Sequence, residues 1–373
     1  MNTLTARQKM EDLLHRAGIS IHGSNPWDIQ VYNDRFFADA LIHGSLGVGE
    51  SYMKKWWDCS RLDEFFARIL KVSLDKEIVK EWRLFGDIIW SRLFNLQSIK
   101  RSFQLAQKHY DLGNDLFERM LDENMVYSCA YWKNALTLDE AQAKKLDLTC
   151  RKLNLRPGME ILDVGCGWGS FAKFAAGEYR VRVTGITVSP EQVVKARKMC
   201  EGLPVDIQLK DYREITGKFD RIVSIGMFEH VGYKNYRSYM RLMHRCLKDD
   251  GLFLLHTIGG NTSSTWTDPW IGTYIFPGSL LPSIKQMGAA IEGLFVLEDW
   301  HNFSADYDRT LLAWHQNFTS RWNEIKDRYG EKFYRMWSYY LLVCAGSFRA
   351  RKNQLWQIVL SKNGIPGGYQ SVR

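Results

Sequence analysis

From about Pro157 onward the sequence alternates between short apolar runs and longer amphipathic stretches, and this alternation constrains the fold more than any other feature. The run MEILDVG precedes the helical pattern GSFAKFAAGEY, and VRVTGITV precedes PEQVVKARKMCEG, which begins at a proline and ends at a glycine. Five more apolar runs (VDIQLKDY, FDRIVSIGMF, LFLLHTIG, LFVLEDWHNF and LWQIVLS) and the helical pattern YRSYMRLMHRCLKDDG complete the series. Such alternation predicts an α/β fold with a mostly parallel seven-stranded sheet and helices on both faces.

Length and charge limit the partners that the chain is expected to have. Its 373 residues suffice for two domains, and 50 basic against 42 acidic side chains leave a net charge of +8. A basic balance favours anionic partners such as nucleic acid or the anionic face of a membrane. No run of lysine and arginine is long enough to indicate a nucleic-acid tail, so we expect no nucleic-acid partner.

Cysteine usage and hydropathy indicate the compartment. The seven cysteines are scattered, and no CxxC pair occurs, so we expect no metal site and no disulfide framework, which fits a reducing cytoplasm. The N-terminal stretch MNTLTARQKMEDLLHRAG lacks the apolar core of a signal peptide. No apolar run approaches the roughly 20 residues that span a bilayer, so any membrane contact is expected to be peripheral.

The N-terminal part of the chain predicts a small, mainly helical domain. ARQKMEDLLHRAG predicts a helix that ends at Gly18, and SNPWDIQVYNDRFFADAL predicts an extended piece followed by a second helix. GSLGVGESYMKKWWDCSRLDEFFARIL predicts a glycine-broken turn and then another helix. We therefore expect a small domain over residues 1–85, a linker helix over 86–100 and a second domain over 101–373.

An apolar stripe lies near the boundary between these two parts. Trp82, Phe85, Ile89 and Leu93 recur at helical spacing and are flanked by lysine and arginine. The stripe fits a helix packed on its own domain, and it also fits a helix that meets lipid with its basic residues toward phosphates. The sequence leaves both readings open.

A glycine-rich loop follows the first strand of the predicted sheet. In DVGCGWGS, Asp163 precedes Gly165, Gly167 and Gly169, and Ser170 stands where the dinucleotide-binding pattern requires a glycine. A GxGxG loop after an acidic residue is instead typical of methyltransferases that use S-adenosylmethionine. The alternative, a purely structural turn between strand and helix, is weakened by the position of the loop in the fold. We therefore expect a Rossmann-like, class I S-adenosylmethionine methyltransferase fold.

The next two strands are followed by polar residues that suit the ribose, carboxylate and adenine groups of S-adenosylmethionine. Thr187 and Gln192 follow the second strand and can hydrogen-bond a ribose or a carboxylate. Asp211 and Tyr212 follow the third strand, where an acceptor for an amine and an aromatic face suit adenine. Asp211 is equally compatible with a role as the acid of a turn.

An acidic residue and a histidine stand side by side where the apolar strand IVSIG ends. In GMFEHVG these residues are Glu229 and His230. They fit a helix-start acid beside a solvated histidine, or a buried pair that satisfies itself. Ligands of a parallel sheet bind beyond the carboxyl ends of its strands, so a functional role is a third possibility.

Several separated motifs in the same order resemble one known family. KHYDLGNDLFERMLDENMVYSCAYW, ILDVGCGWG, GMFEHVG, LLHTIG and WHNFSADYDRTLLAW are similar to motifs of the bacterial cyclopropane-fatty-acyl-phospholipid synthases, relatives of the mycolic acid cyclopropane synthases. The N-terminal pieces GSLGVGESYM, WWDC and RLFNLQS resemble the extra domain of the phospholipid enzymes. The resemblance covers nearly the whole chain.

The resemblance implies a reaction and a set of site residues. In this family the double bond of an unsaturated acyl chain attacks the methyl group of S-adenosylmethionine, and a bound bicarbonate ion accepts a proton from the resulting cation. The implied bicarbonate ligands are Cys129, Glu229, His256, the backbone of Ile258 and Tyr307. Tyr110 of KHYDLGNDLF belongs to the segment that the family uses as a cofactor lid.

The residue types suit this chemistry. An alkene has no acidic proton, so the enzyme must stabilise a developing positive charge and exclude the water that would trap it. Glu229 can accept the hydroxyl proton of bicarbonate, and His256, Tyr307 and the Ile258 amide can donate hydrogen bonds to it, whereas the Cys129 thiol is a weaker donor. Aromatic faces can stabilise the cation further. The candidates are Tyr127, Tyr131, Phe228 and Trp300.

Structural roles compete with these functional ones. Cys129 alone fits a small buried apolar side chain, and no partner base is visible that would make it a covalent nucleophile. A histidine after a strand, such as His256, is structural about as often as it is functional. We expect His230 to support Glu229 rather than to contact a ligand.

The resemblance also implies location and partners. We expect a cytoplasmic enzyme that docks peripherally on the anionic inner face of the cell membrane, with the 1–85 domain as the lipid-docking or dimer element and 101–373 as the catalytic domain. A homodimer is implied, with an unsaturated acyl chain as substrate. Alternatives are a methyltransferase that gives methyl-branched chains, a membrane-associated binding protein with a degenerate site, and a nucleic-acid methyltransferase, for which no basic groove or base-flipping pocket is indicated.

Overall fold

The computed structural model of the chain describes residues 3–74 and 113–373. Three predictions lie outside the described residues: the cofactor residue Tyr110, the linker helix over 86–100 and the apolar stripe from Trp82 to Leu93.

The described residues contain nine β-strands. In chain order they are β1 (Gln30–Val31), β2 (Trp57–Asp58), β3 (Glu160–Val164), β4 (Arg182–Thr187), β5 (Val205–Leu209), β6 (Phe219–Ile225), β7 (Leu247–Gly260), β8 (Val296–Asn302) and β9 (Asn353–Ser361).

The described residues also contain thirteen α-helices. They are α1 (Thr3–Arg16), α2 (Arg35–His43), α3 (Ser45–Met53), α4 (Leu62–Lys71), α5 (Asn114–Met120), α6 (Leu138–Lys152), α7 (Ser170–Tyr179), α8 (Pro190–Met199), α9 (Tyr236–Cys246), α10 (Pro269–Tyr274), α11 (Ile284–Ile291), α12 (Ala305–Ser320) and α13 (Lys326–Arg349).

Seven strands form one sheet in the order β5-β4-β3-β6-β7-β9-β8. Parallel pairing joins β3 to β4 and β6, β4 to β5, and β6 to β7, whereas β8 and β9 pair antiparallel. All seven strands that the apolar runs predicted are present, so the α/β prediction with a mostly parallel sheet is confirmed. The carboxyl ends of β3, β4, β5, β6 and β7 therefore meet at one edge.

Both faces of this sheet are covered. Leu162, Ile222 and Leu255 belong to one apolar cluster, whereas their chain neighbours Ile161 and Leu254 belong to a second. Successive side chains of a strand point to opposite faces, so the sheet is buried on both sides. This explains why its strands appear in the sequence as nearly continuous apolar runs.

One predicted helix is shorter than its sequence pattern. YRSYMRLMHRCLKDDG predicted a helix up to Gly251, but α9 ends at Cys246. Leu247 instead pairs with Phe219 at the start of β6 and begins β7. Pairing with the sheet outweighs the helical pattern at these residues.

The chain divides into two compact units. Among the described residues, the first contains 3–74, Trp266–Pro277 and Tyr307–Asn353, and the second contains 113–265, Gly278–Asp306 and Gln354–Arg373 with the whole seven-stranded sheet. The N-terminal segment therefore shares its unit with two segments that the sequence assigned to the 101–373 domain. Within this unit α4 packs against α13, which a one-dimensional pattern does not reveal.

The predicted turn at GSLGVGE is wrong, because these residues form the helix α3. A Cβ on Gly47 would overlap the backbone of Asp39, and a Cβ on Gly49 would overlap the ring of Trp270. The glycines allow α3 to approach its neighbours closely, so they serve packing inside the first unit rather than a turn.

No helix among residues 3–74 and 113–373 is both long enough and apolar enough to cross a membrane.

An ion cluster within the first unit gives a prediction about stability. Asp63 is buried and accepts hydrogen bonds from Arg61, and Arg349 pairs with it at 2.7 Å. Burial alone would raise the pKa of Asp63, but the two guanidinium groups outweigh it and lower the pKa to about 2. The contribution to stability is therefore present above the unfolded pKa near 4 and is lost as the pH falls toward 2.

We expect Asp63→Asn to lower the free energy of unfolding by about 2 kcal/mol at pH 7, measured by urea denaturation, with the difference from the parent protein shrinking between pH 4 and pH 2. Glu11→Gln is the matched control, because the Arg7–Glu11 pair is 43% and 46% exposed and should contribute less than about 0.5 kcal/mol. A loss for Asp63→Asn that stays constant down to pH 2 would contradict the electrostatic explanation.

Candidate active site

The glycine loop connects β3 to α7 at the carboxyl edge of the sheet. Gly165 and Gly167 have φ values of 83° and 56°, which side chains other than glycine rarely adopt. A Cβ on Gly165 would also lie 2.8 Å from the Cβ of Met227. The third glycine, Gly169, precedes the first residue of α7. The loop thus turns sharply at the strand end with no side chain on its glycines, so a ligand can approach its backbone closely.

Asp163 presents an unused acceptor next to this loop. Its side chain is buried, and Oδ2 has no hydrogen-bond partner among the described residues. Burial raises the pKa of Asp163 to about 7, although the charge of Lys145 opposes the rise. A buried carboxyl oxygen without a partner fits a ligand that carries an ammonium or hydroxyl donor.

The residues after β4 lie beside the glycine loop. The Gly165 amide donates to the Ile186 carbonyl at 3.0 Å, and the Lys210 amide donates to the Thr187 carbonyl at 2.9 Å, so the ends of β3, β4 and β5 are adjacent. Thr187 Oγ1 donates a 2.7 Å hydrogen bond to Gln192 Oε1. The structure therefore brings Thr187 and Gln192, the two residues predicted to bind a ribose or a carboxylate, into contact with each other.

Asp211 acts as the cap of a 3-10 turn over Tyr212–Glu214. Its Oδ1 accepts hydrogen bonds from the amide and Nε of Arg213, at 3.0 and 2.7 Å. The turn-acid alternative raised by the sequence is thus realised, and a contact between Asp211 and adenine remains a prediction. Tyr212 is buried, with its ring edge-on to Tyr239 at 5.1 Å.

Glu229 lies in the 3-10 turn Phe228–His230, directly after β6. Its Oε1 accepts a 2.7 Å hydrogen bond from the amide of Ile258 on β7, whereas Oε2 is buried without a partner among the described residues. Burial raises the pKa of Glu229 to about 7, opposed by the Ile258 amide. The Ile258 amide, predicted to hold an anion, is thus bonded to Glu229.

His256 lies on β7 and pairs in register with Ile225, the last residue of β6. Its ring is buried, Nε2 has no partner among the described residues, and Phe303 contacts the ring edge-on at 5.8 Å. Burial lowers the pKa of His256 well below its usual value, and the charges of Lys145 and Lys152 act in the same direction. The imidazole of His256 is therefore neutral at pH 7. The neighbour of Glu229 in the chain, His230, has an exposed side chain.

Cys129 lies in a segment that α6 fixes in place. Its side chain is buried, and Sγ donates to the Ala130 carbonyl at 3.2 Å. Gln142 Nε2 donates to the Ser128 carbonyl at 2.8 Å, and Lys145 Nζ donates to Ser128 Oγ at 2.9 Å. Lys145 interacts electrostatically with both Cys129 and His256, so the charge of one buried ammonium group acts on both predicted site residues.

Tyr307 lies on α12 in the first compact unit, unlike the other four predicted anion ligands. Its ring packs against Phe348 at 4.6 Å and edge-on to Trp314 at 5.9 Å. Its contact with an anion remains a prediction.

Sequence reasoning missed the polar face of α6. Its buried residues Gln142, Lys145, Thr149 and Lys152 recur at spacings of three and four, which places them on one helix face. This spacing was readable in the sequence, but a stripe with two lysines normally indicates a solvated face. Gln357 and Phe303, which contact His256, carried no local signal.

The strand order and the glycine loop after β3 together define the class of the protein. An open sheet with a ligand loop at its strand ends and a buried carboxylate at that loop is the fold of an S-adenosylmethionine-dependent methyltransferase. The family model for mycolic acid cyclopropane synthetase matches residues 97–358, and the chain belongs to this family.

The chain is similar to two known bacterial proteins and to one solved structure. A cyclopropane-fatty-acyl-phospholipid synthase of Escherichia coli (strain K12) is 54% identical over 362 residues, which is 97% of this chain and 94% of the relative. A probable fatty acid methyltransferase of Pseudomonas putida is 39% identical and covers 68% of both chains. The crystal structure of mycolic acid cyclopropane synthase CmaA1, complexed with SAH and CTAB, has a TM-score of 0.66 at 35% identity and covers 70% of this chain and 98% of that one.

The glycine loop gives a prediction about cofactor binding. We expect Gly165→Ala to weaken binding of S-adenosylhomocysteine at least about tenfold in isothermal titration calorimetry, because the new Cβ would collide with Met227 and displace the loop backbone. Gly202→Ala is the control: Gly202 also has a positive φ, of 78°, but a Cβ there meets nothing within 4 Å. Equal weakening in both variants would mean that backbone strain alone is responsible.

Proposed function

We propose that this chain is a cyclopropane-fatty-acyl-phospholipid synthase, which transfers a methylene group from S-adenosylmethionine to the cis double bond of an unsaturated phospholipid acyl chain. The observation that supports the chemistry is a pair of buried polar atoms at adjacent strand ends, Glu229 Oε2 and His256 Nε2, neither of which has a hydrogen-bond partner in the part of the chain that the structure describes. The substrate class is supported by similarity to the Escherichia coli synthase over 97% of this chain.

The proposed reaction balances as follows. The alkene electron pair attacks the methyl carbon of the sulfonium, the carbon–sulfur bond breaks, and neutral S-adenosylhomocysteine leaves. The positive charge then lies on the acyl chain. Loss of one proton from the new methyl group supplies the electron pair that closes the three-membered ring.

The residues around this site would exclude water and hold the base. Glu229, His256 and Cys129 are buried, so a cation formed beside them is protected from hydration. The unpartnered atoms of Glu229 and His256 offer a small anion one carboxyl oxygen and one ring nitrogen, which fits bicarbonate. A bicarbonate ion bound there would supply the base for the proton of the new methyl group.

Glu229 can form a hydrogen bond with the bound anion whether or not that anion carries a proton. Since its pKa is raised to about 7, Oε2 is close to balanced between donor and acceptor at neutral pH. The Ile258 amide keeps the carboxyl group oriented in both states, because it bonds to Oε1. We propose that Cys129, His256 and Tyr307 complete the set of anion ligands, and that the Ile258 backbone acts through Glu229, to which its amide is bonded.

The cofactor would lie along the ends of β3, β4 and β5. We propose that Asp163 accepts a donor of S-adenosylmethionine while Gly165, Gly167 and Gly169 let the backbone approach it. Further contacts are proposed for Thr187, Gln192, Asp211, Tyr212 and Tyr110.

A second candidate function is methylation of the acyl chain to a methyl-branched product. It is favoured by the similarity to the probable fatty acid methyltransferase of Pseudomonas putida. Both reactions begin with the same carbon–sulfur cleavage and differ in where the cation loses its proton.

The test is an assay with S-adenosylmethionine and unsaturated phospholipid vesicles, analysed by mass spectrometry for a gain of one CH2 and by gas chromatography to separate ring from branched alkene. We expect the ring product. We expect Glu229→Gln to lower kcat by at least about a hundredfold, with S-adenosylhomocysteine affinity unchanged, because Glu229 would contact the anion rather than the cofactor.

Glu201→Gln, at an exposed position, is the control and should keep parental kcat. Full activity of Glu229→Gln, or a rate that bicarbonate depletion leaves unchanged, would contradict the proposed proton route. A branched product would favour the second candidate.

We further propose that the enzyme is cytoplasmic and docks peripherally on anionic lipids of the inner membrane face, with the N-terminal segment as docking or dimer element. The net charge of +8 supports this attraction. A homodimer remains a prediction from the resemblance.

For docking, we expect co-sedimentation with anionic vesicles to exceed that with zwitterionic vesicles at low salt, and the excess to fall when the ionic strength rises, because salt screens surface charge. Equal binding to both vesicle types at low and high salt would contradict the electrostatic part.

A further inference from the structure

The side chain of Gln357 links His256 to helix α6. Gln357 lies on β9, the neighbour of β7 in the sheet, and both side chains are buried. Its Nε2 lies 3.1 Å from Thr149 Oγ1 and 3.4 Å from His256 Nδ1. Among the described residues, Gln357 is the hydrogen-bond partner of the His256 ring.

The hydroxyl of Thr149 determines which way the Gln357 amide points. Thr149 Oγ1 donates its single proton to the Lys145 carbonyl at 2.8 Å. The hydroxyl must therefore accept from Gln357, and only the amide nitrogen can donate to it. The reversed amide would place its oxygen against the lone pairs of the hydroxyl oxygen.

The orientation of the amide in turn determines the tautomer of His256. The amide nitrogen carries two protons, one for Thr149 and one for Nδ1, so Nδ1 accepts and the single proton of the neutral ring lies on Nε2. Burial of the ring favours the neutral form, and the positive charges of Lys145 and Lys152 on α6 act in the same direction. The Nε2–H group is buried and has no partner among the described residues.

We propose that Gln357 is a positioning residue that holds His256 in the Nε2–H tautomer, so that the ring presents a hydrogen-bond donor to the anion of the active site. The proposal rests on the proposed function for the anion. Gln357 then donates in two directions: one amide proton goes to His256 Nδ1 and leaves the ring proton on Nε2, and the other goes to Thr149, which donates to the backbone of α6. A ring in the other tautomer would present a lone pair to the anion and repel it.

The direct test is nitrogen-15 NMR of the full chain labelled at histidine, with the His256 signals assigned by their loss in His256→Gln. We expect a protonated Nε2 and an unprotonated, hydrogen-bonded Nδ1 in the parent protein at pH 7. A protonated Nδ1 would overturn the proposal. This measurement needs no substrate and no turnover, so its outcome is independent of whether the proposed reaction is correct.

Gln357→Glu tests the consequence for catalysis. The new carboxylate accepts hydrogen bonds where the amide donated one, and so draws a proton onto Nδ1. We expect this signal change together with a fall in kcat of at least about tenfold and an unchanged affinity for S-adenosylhomocysteine.

Gln354→Glu is the matched control on the same strand: Gln354 is also buried, but its Oε1 accepts from Asn302 and Ser304 rather than contacting His256. It should leave the His256 signals and kcat as in the parent protein. A Gln357→Glu variant with parental His256 signals, whether kcat falls or not, would overturn the positioning role.

Discussion

The hydrogen bond from the Ile258 amide to Glu229 Oε1 is the contact on which the candidate active site depends. It joins the turn after β6 to the end of β7 and fixes one oxygen of a buried carboxyl group, so the other oxygen has a defined position. Leaving a buried polar atom without a partner costs about 1–3 kcal/mol. The structure bears this cost at Glu229 Oε2 and again at His256 Nε2, at adjacent strand ends. Such costs are expected where a ligand, rather than the protein, completes the hydrogen bonds.

Helix α6 connects the segment that carries Cys129 to the side chain that contacts His256. Gln142 and Lys145 hold the segment that carries Cys129, and Thr149, one turn further along, holds Gln357 against His256. A helix is a rigid spacer, so a shift of one contact along it would be transmitted to the other. The polar face of α6 thus provides the kind of preorganised support that a site with fixed donors and acceptors requires.

The sequence predicted those features that repeat along the chain. Apolar runs located all seven strands, and the glycine spacing located the loop after β3, because backbone conformation and burial impose local patterns. Features that depend on distant packing were not predictable. GSLGVGE forms a helix in which Gly49 lies against the ring of Trp270, far away in sequence, so its glycines serve a contact that the local pattern does not reveal. Lys145 is buried because Ser128 and nearby acids surround it, whereas its sequence context indicates a solvated side chain.

Burial, reinforced by the charge of neighbouring lysines, keeps the histidine of the candidate site neutral. Burial lowers the pKa of Lys145 to about 8, so this ammonium remains largely charged at pH 7 and opposes a second positive charge on the ring of His256. An imidazolium would also repel the cation that the proposed reaction forms on the acyl chain. A neutral ring with its proton on Nε2 can bind an anion without adding positive charge. The positive charge of Lys145 would then balance the charge of a bound anion.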